Sequence, residues 1–328
     1  MRKINGVPVE AHTDLSNLTG GEVLKWDATN TLMAWEDQDS TTFIPPTWYG
    51  DRGVFGAGSS NIIDYVTIST TSNATDFGDF TSSRDSSSGC SNGTRGVFAG
   101  GGGPSNVIDY ITISTPSNTT DFGDLSGGNS EIGACSDGTK GLFGGGWNDV
   151  AHINTIEYIT ITTTSNTTDF GDLTVGRSSS DSCSNGTRGV WGGGWNGSSY
   201  ETTVDYVTIA TTSNATAFGS LTQARQLAAT DNTTRGVFGG GYNGSYLDTM
   251  DYITISTTGN ATDFGNLTQS RGKFAACSNG SRGVFGGGQN SGGFVNTIDY
   301  IEIATTGNAT DFGDLTGTRR ALCACSGD

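Results

Sequence analysis

Histidine is almost missing from this sequence. Two occur in 328 residues, His12 and His152, so neither a two-histidine metal centre nor a Ser-His-Asp relay can be assembled in the body of the chain. Basic residues are also scarce: 16 Lys and Arg stand against 33 Asp and Glu, a formal net charge of −17. That balance repels phosphate backbones and anionic lipid, and no basic cluster offsets it, so nucleic acid is an unsuitable partner. No run approaches 18 apolar residues, which argues against membrane insertion. Arg2 and Lys3 at the start are not followed by an apolar stretch, so no Sec export is expected. Five Pro and six Cys fall short of collagen and of a disulfide scaffold alike. A sustained 3.6-residue apolar rhythm is absent, and with it any expectation of helix.

What the chain has in excess is glycine, 52 residues, and a repeat. Arg-Gly-Val-Phe-Gly begins at Arg52 and returns at Arg95, Lys140, Arg188, Arg235 and Arg282, at spacings of 43, 45, 48, 47 and 47. Each copy continues with an Asp/Glu-Tyr-Ile/Val strand at Tyr65, Tyr110, Tyr158, Tyr206, Tyr252 and Tyr300. Next comes Asn-Ala-Thr-Asp-Phe-Gly-Asp-Leu, centred on Phe77, Phe122, Phe170, Phe218, Phe264 and Phe312. A fourth element opens at an Arg and ends in Ala-Cys-Ser-Asn-Gly-Thr or a close variant, as from Arg271 to Ser281. Apolar and polar residues alternate in Tyr252-Ile253-Thr254-Ile255-Ser256, the period of a strand. The Asn-Gly pairs read as type I′ hairpin turns.

Four short strands per copy and six copies predict an all-β chain arranged as a six-bladed β-propeller over residues 46–328. The first copy has no fourth element before it, and the last fourth element, ending at Cys325-Ser326-Gly327-Asp328, has no copy after it. The C-terminal strand is therefore expected to close the ring in the first blade.

These residues resemble a kelch repeat: an Arg opening the innermost strand, a Gly pair after the second (Gly286-Gly287), a Tyr in the third (Tyr300) and an aromatic in the fourth. The resemblance implies a propeller of the galactose oxidase central-domain type. Phe312 and its counterparts stand where kelch repeats usually carry Trp, and kelch-like propellers serve as enzymes, adaptors and viral proteins, so the likeness speaks for architecture more than for function. Residues 1–45 are different. Leu24, Trp26, Leu32 and Trp35 flank a polar stretch and predict a small hairpin, a candidate docking element. The segment from Asp14 to Asp27 resembles one that recurs in tail, fibre and appendage proteins of tailed bacteriophages. That likeness implies a virion structural protein that meets other virion proteins through residues 1–45 and is assembled in the host cytoplasm.

Paired carboxylates recur as Asp76/Asp79, Asp121/Asp124, Asp169/Asp172 and Asp311/Asp314, yet the fourth copy has Ala217 and Ser220 there. A copy that dispenses with both points to turn chemistry rather than to a metal, and no cofactor is expected. The repeated Cys90, Cys135, Cys183, Cys277 and Cys325, with Thr230 in the remaining copy, occupy one position in successive blades and read as unpaired, buried small hydrophobes. Eleven basic residues belong to the repeat and are expected to pair with neighbouring Asp.

The loop after the Gly run is nine or ten residues long in the last four copies and shorter in the first two. Enlarged loops on one face of a repeat ring mark a binding surface. They carry Trp147, Asn148, Trp195, Asn196, Tyr200, Tyr242, Asn243, Tyr246 and Phe294, residues suited to a host-surface glycan or protein, or alternatively to packing one loop against the next. Because the chain enters at the start of a second strand while these loops leave from its end, tether and loops are expected on opposite faces. The resulting expectation is a non-enzymatic virion protein for host attachment or particle decoration; the alternative is an intracellular kelch-like adaptor. A homo-oligomer is left open.

Overall fold

A computed structural model describes the short strands Lys3–Ile4, Val7–Pro8, Val23–Asp27 and Leu32–Glu36, and the continuous stretch from Trp48 to Asp328. Residues 1–44 and 45–328 are two separate compact units. In the first, Val23–Asp27 and Leu32–Glu36 pair antiparallel, with Leu24 opposite Trp35 and Asp27 opposite Leu32. His12, Pro45-Pro46 and the first part of the Asp14–Asp27 segment lie outside the described residues, as do the side chains of the hairpin.

The second unit is a six-bladed propeller of four-stranded antiparallel sheets. Its sixth blade shows the pattern: an inner strand Ala275–Ser278, a second strand Arg282–Gly286, a third Thr297–Glu302 and an outer Thr310–Asp314. In the first blade the inner place is taken by Leu322–Gly327, which pairs Arg52–Ala57 with Cys325 opposite Val54. The C-terminal strand thus closes the ring. Among the described residues there is no helix, and none long and apolar enough to cross a membrane.

Some residues of the repeat hold a blade together and others reach the next blade. The Phe of Asp-Phe-Gly is buried and meets the third-strand Tyr edge-on, as in Tyr252 and Phe264 at 6.0 Å. The Gly that follows it has no room for a side chain: a Cβ on Gly171 would lie 2.5 Å from the carbonyl oxygen of Ser213 in the next blade, and its φ is +144°. The sequon-like Asn is the reason for that approach. Its Oδ1 accepts the backbone N–H of the preceding blade's outer strand in all six places, from Asp79 to Asn118 at 3.0 Å round to Asp314 to Asn73 at 3.1 Å. The six cysteines are free and buried. Five of them follow the repeat, and each of these abuts the second-strand Gly of the next blade: a Cβ on Gly141 would sit 2.6 Å from Cys90 Sγ. Burial pushes the Cys90 thiol up to about 12 and raises the Cys277 thiol as well.

The basic residues split into two sets, which corrects the expectation that all eleven pair with Asp. Arg84, Arg177, Arg225, Arg271 and Arg319 are buried and bind Asp109, Asp205, Asp251, Asp299 and Asp64. The third blade has Asn129 and Glu157 in those places. The Arg or Lys before Gly-Val-Phe instead lies over the third-strand Tyr, at 4.3 Å for Arg95 and Tyr110, and donates to a carbonyl of the following blade, Ile161 O at 3.0 Å. Among the described residues only Arg282 of these six has an acidic partner, Glu302. The Asn-Gly turns also differ from type I′. Positive φ falls on Gly alone, +88° at Gly93, while Asn92 Oδ1 caps the N–H groups of Thr94 and Arg95. The Asn side chain replaces a second left-handed residue as the source of the turn.

Candidate functional site

The inner strands enclose an axial cavity of about 180 Å³. Their unpaired edges would leave orphan backbone groups, and small polar side chains satisfy many of them. Ser91, Ser136, Ser278 and Ser326 each donate a hydroxyl to a carbonyl of the neighbouring inner strand, at 2.5 to 2.6 Å. The fifth blade breaks this girdle with Asp231. Asp231 accepts the N–H of Ser184 at 2.7 Å and the hydroxyl of Tyr49 at 2.5 Å. Asp181 accepts the N–H of Ala229 at 2.8 Å. Burial raises both carboxyls to about 7.

Tyr49 and Trp48 lie at the Asn-Gly turn end of this cavity. A Cβ on Gly138 in the third blade's turn would lie 2.9 Å from the Trp48 ring. The first described residues of this unit therefore lie at the turn face, and the long loops lie at the opposite end of the second strands. Nothing in a general reading of motifs points to Tyr49. The signal was the exception in the fourth element, Asp231 where the other five copies have Ser.

On the loop face, the first residue of the long loop in the third, fourth and sixth blades is bridged to a residue three places before the inner strand. Trp147 exchanges backbone hydrogen bonds with Ser130, and Trp195 with Ser178. A collar follows inward: Ser86, Glu131, Ser179, Lys273 and Ala321 all have positive φ. Their backbones are linked from Ala321 to Lys273, Ser86 to Ala321, Glu131 to Ser86 and Ser179 to Glu131. Glu131 further accepts the hydroxyls of Ser178 and Ser179 at 2.6 and 2.7 Å, tying the third blade to the fourth.

The sequence-derived aromatics fall into three groups. Trp147 packs at a tilt against His152, ring centroids 4.7 Å apart; burial lowers the pKa of this histidine, the Glu131 charge opposing. Trp195, Tyr200, Tyr242 and Tyr246 form a continuous series across the fourth and fifth blades, with centroids 4.7, 6.1 and 5.1 Å apart. Phe294 stands apart in the sixth blade, 48 % exposed, with Arg320 over its face at 4.8 Å. The other five aromatics are half-buried, so they pack within and between loops and keep one side toward solvent. Val150, 84 % exposed, is an apolar loop tip that a search for aromatics passes over.

The asparagines spend their acceptors locally. Asn148 Oδ1 caps the N–H groups of Val150 and Ala151, and Asn196 Oδ1 those of Ser198 and Ser199. Asn196 Nδ2 donates to Glu201 at 2.5 Å. Both shape the loops that hold the aromatics. Asn243 begins a turn through its backbone, which bonds Ser245 at 3.2 Å. Among the described residues no group of three or more His, Cys, Asp or Glu could hold a metal ion.

Compared with known proteins, the chain matches no family model and no curated relative. The six-bladed ring stands on the structure itself, and neither comparison supports the kelch or the phage-tail likeness.

Proposed function

We propose that this chain is a non-enzymatic structural component of a tailed-bacteriophage particle. On this reading residues 1–45, with Leu24, Trp26, Leu32 and Trp35, dock on other virion proteins. The propeller then presents its loop face outward for host-surface attachment. The observation that carries the reading is polarity: Trp48 and Tyr49 fix the incoming chain at the turn face, while the enlarged aromatic loops occupy the other. A ring stitched at every interface is a rigid platform, and loops held on a rigid scaffold are the usual place for recognition. The test is binding of the purified propeller to host cells, with Trp147→Ala and Trp195→Ala as loop-face variants. Retention by cells that weakens at least about tenfold in these variants supports attachment, since truncating a central aromatic anchor typically costs about 2 kcal/mol or more. No retention by host cells removes attachment and leaves particle decoration.

A further inference from the structure

We infer that the series Trp195–Tyr200–Tyr242–Tyr246 is a binding strip for an uncharged oligosaccharide, with several sugar rings laid across the fourth and fifth blades. This rests on the attachment reading and names the ligand class for it.

Three observations lead there. The four rings are half-buried and spaced at 4.7 to 6.1 Å, so they hold one another in place and leave a ribbed apolar surface running from one blade to the next. Their separation suits successive rings of a chain rather than one small molecule. Second, the hydroxyls of Tyr200, Tyr242 and Tyr246 have no hydrogen-bond partner among the described residues. Aromatic faces with free polar tips match the apolar faces and hydroxyl edges of pyranose rings.

The third observation is charge. The long loops of the third, fourth and fifth blades carry Asp149, Glu201 and Asp248 and no Lys or Arg. The arginines beneath them, Arg177 and Arg225, are buried against Asp205 and Asp251. Lys273 belongs to the sixth blade's collar, and Arg320, which precedes the first blade's inner strand, is taken by Phe294 and Gln289. A phosphorylated, sulfated or carboxylated glycan would thus meet repulsion from loops that themselves supply no Lys or Arg to offset it. Glu201 also accepts from Asn196 and Thr203, which fixes the loop under Tyr200 before any ligand arrives and lowers the cost of binding.

The experiment is a binding screen of the full chain against neutral and anionic oligosaccharides, run beside whole host cells at 50 and 500 mM salt. The expected result is saturable binding to neutral oligosaccharides, changing less than about twofold with salt because no ionic contact is screened. Tyr200→Ala is expected to weaken it at least about tenfold. Tyr242→Phe, which keeps the stacked ring and removes only the hydroxyl, is expected to weaken it about two- to tenfold, so the result does not depend on a variant that loosens the loops. Binding to cells together with preference for anionic glycans, or with no glycan bound, overturns the inference and leaves attachment standing. Absence of binding to cells and glycans alike removes both.

Discussion

Replacing Arg271 by Asn should destabilise the propeller by about 3–5 kcal/mol. Arg271 is fully buried, with Nη1 2.7 Å from Asp299 and Nη2 donating to the Phe285 carbonyl at 3.0 Å. Removing it leaves a buried carboxylate held by Thr268 alone, through its hydroxyl at 2.5 Å and its N–H at 3.2 Å. Breaking one side of such a pair costs that much mostly because the remaining charge is uncompensated. The third blade shows how the site is built without an Arg. Asn129 Nδ2 donates to a different carbonyl, that of Gly145 at 2.9 Å, two residues beyond Phe143, the counterpart of Phe285. The longer Glu157 accepts from the Ser126 N–H at 3.1 Å and the Thr167 hydroxyl at 3.2 Å. The sixth blade has Ala309 where the third has Thr167. Arg271→Asn with Asp299→Glu and Ala309→Thr should therefore recover to within about 1.5 kcal/mol of the parent, while Arg271→Asn with Asp299→Glu alone recovers less. Urea unfolding followed by both fluorescence and circular dichroism measures all three. An Arg271→Asn cost below about 1 kcal/mol, or a triple variant no better than the single, would refute the account of the buried pair.

Two further outcomes follow from the blade interfaces and the axis. Gly141→Ala places a methyl 2.6 Å from Cys90 Sγ and should cost about 1–3 kcal/mol by overpacking; adding Cys90→Ala should restore part of it in the same unfolding assay. Asp231 is raised to about 7 by burial. The folded state therefore holds its proton more tightly than the unfolded chain, and stability is lost as pH rises from about 4 toward 7. Asp231→Asn should flatten that loss, unfolding at higher temperature than the parent at pH 8 and not at pH 5. Parallel pH profiles for parent and variant would contradict it.

Much of the ring was legible because the repeat is dense and each copy serves as a control on the others. Six copies of Arg-Gly-Val-Phe-Gly or a close variant fixed the blade number, and a first copy without its fourth element fixed the closure. The roles of the repeated polar residues were not legible, because they act between blades, across 42 to 67 residues of chain: Asn166 serves Asp124 at 3.1 Å, and Arg188 serves the Ile255 carbonyl at 3.1 Å. Neither partner is a sequence neighbour. The loop aromatics could be placed on a face from chain direction alone, whereas their mutual stacking could not, since it depends on how far each loop leans over the next blade. Tyr49 was hidden for a different reason. A single tyrosine outside the repeat has no counterpart for comparison, and its partner, Asp231, stands out only once the inner strands are aligned.

The most direct test of the functional account is cryo-electron microscopy of intact phage particles, with mass spectrometry of the same preparation to establish whether the chain is present. The account predicts a six-bladed ring held to the particle from its turn face, with the long loops of blades three to six directed into solvent. Particles that lack the chain, or a ring whose loop face is buried against other virion proteins, would contradict it.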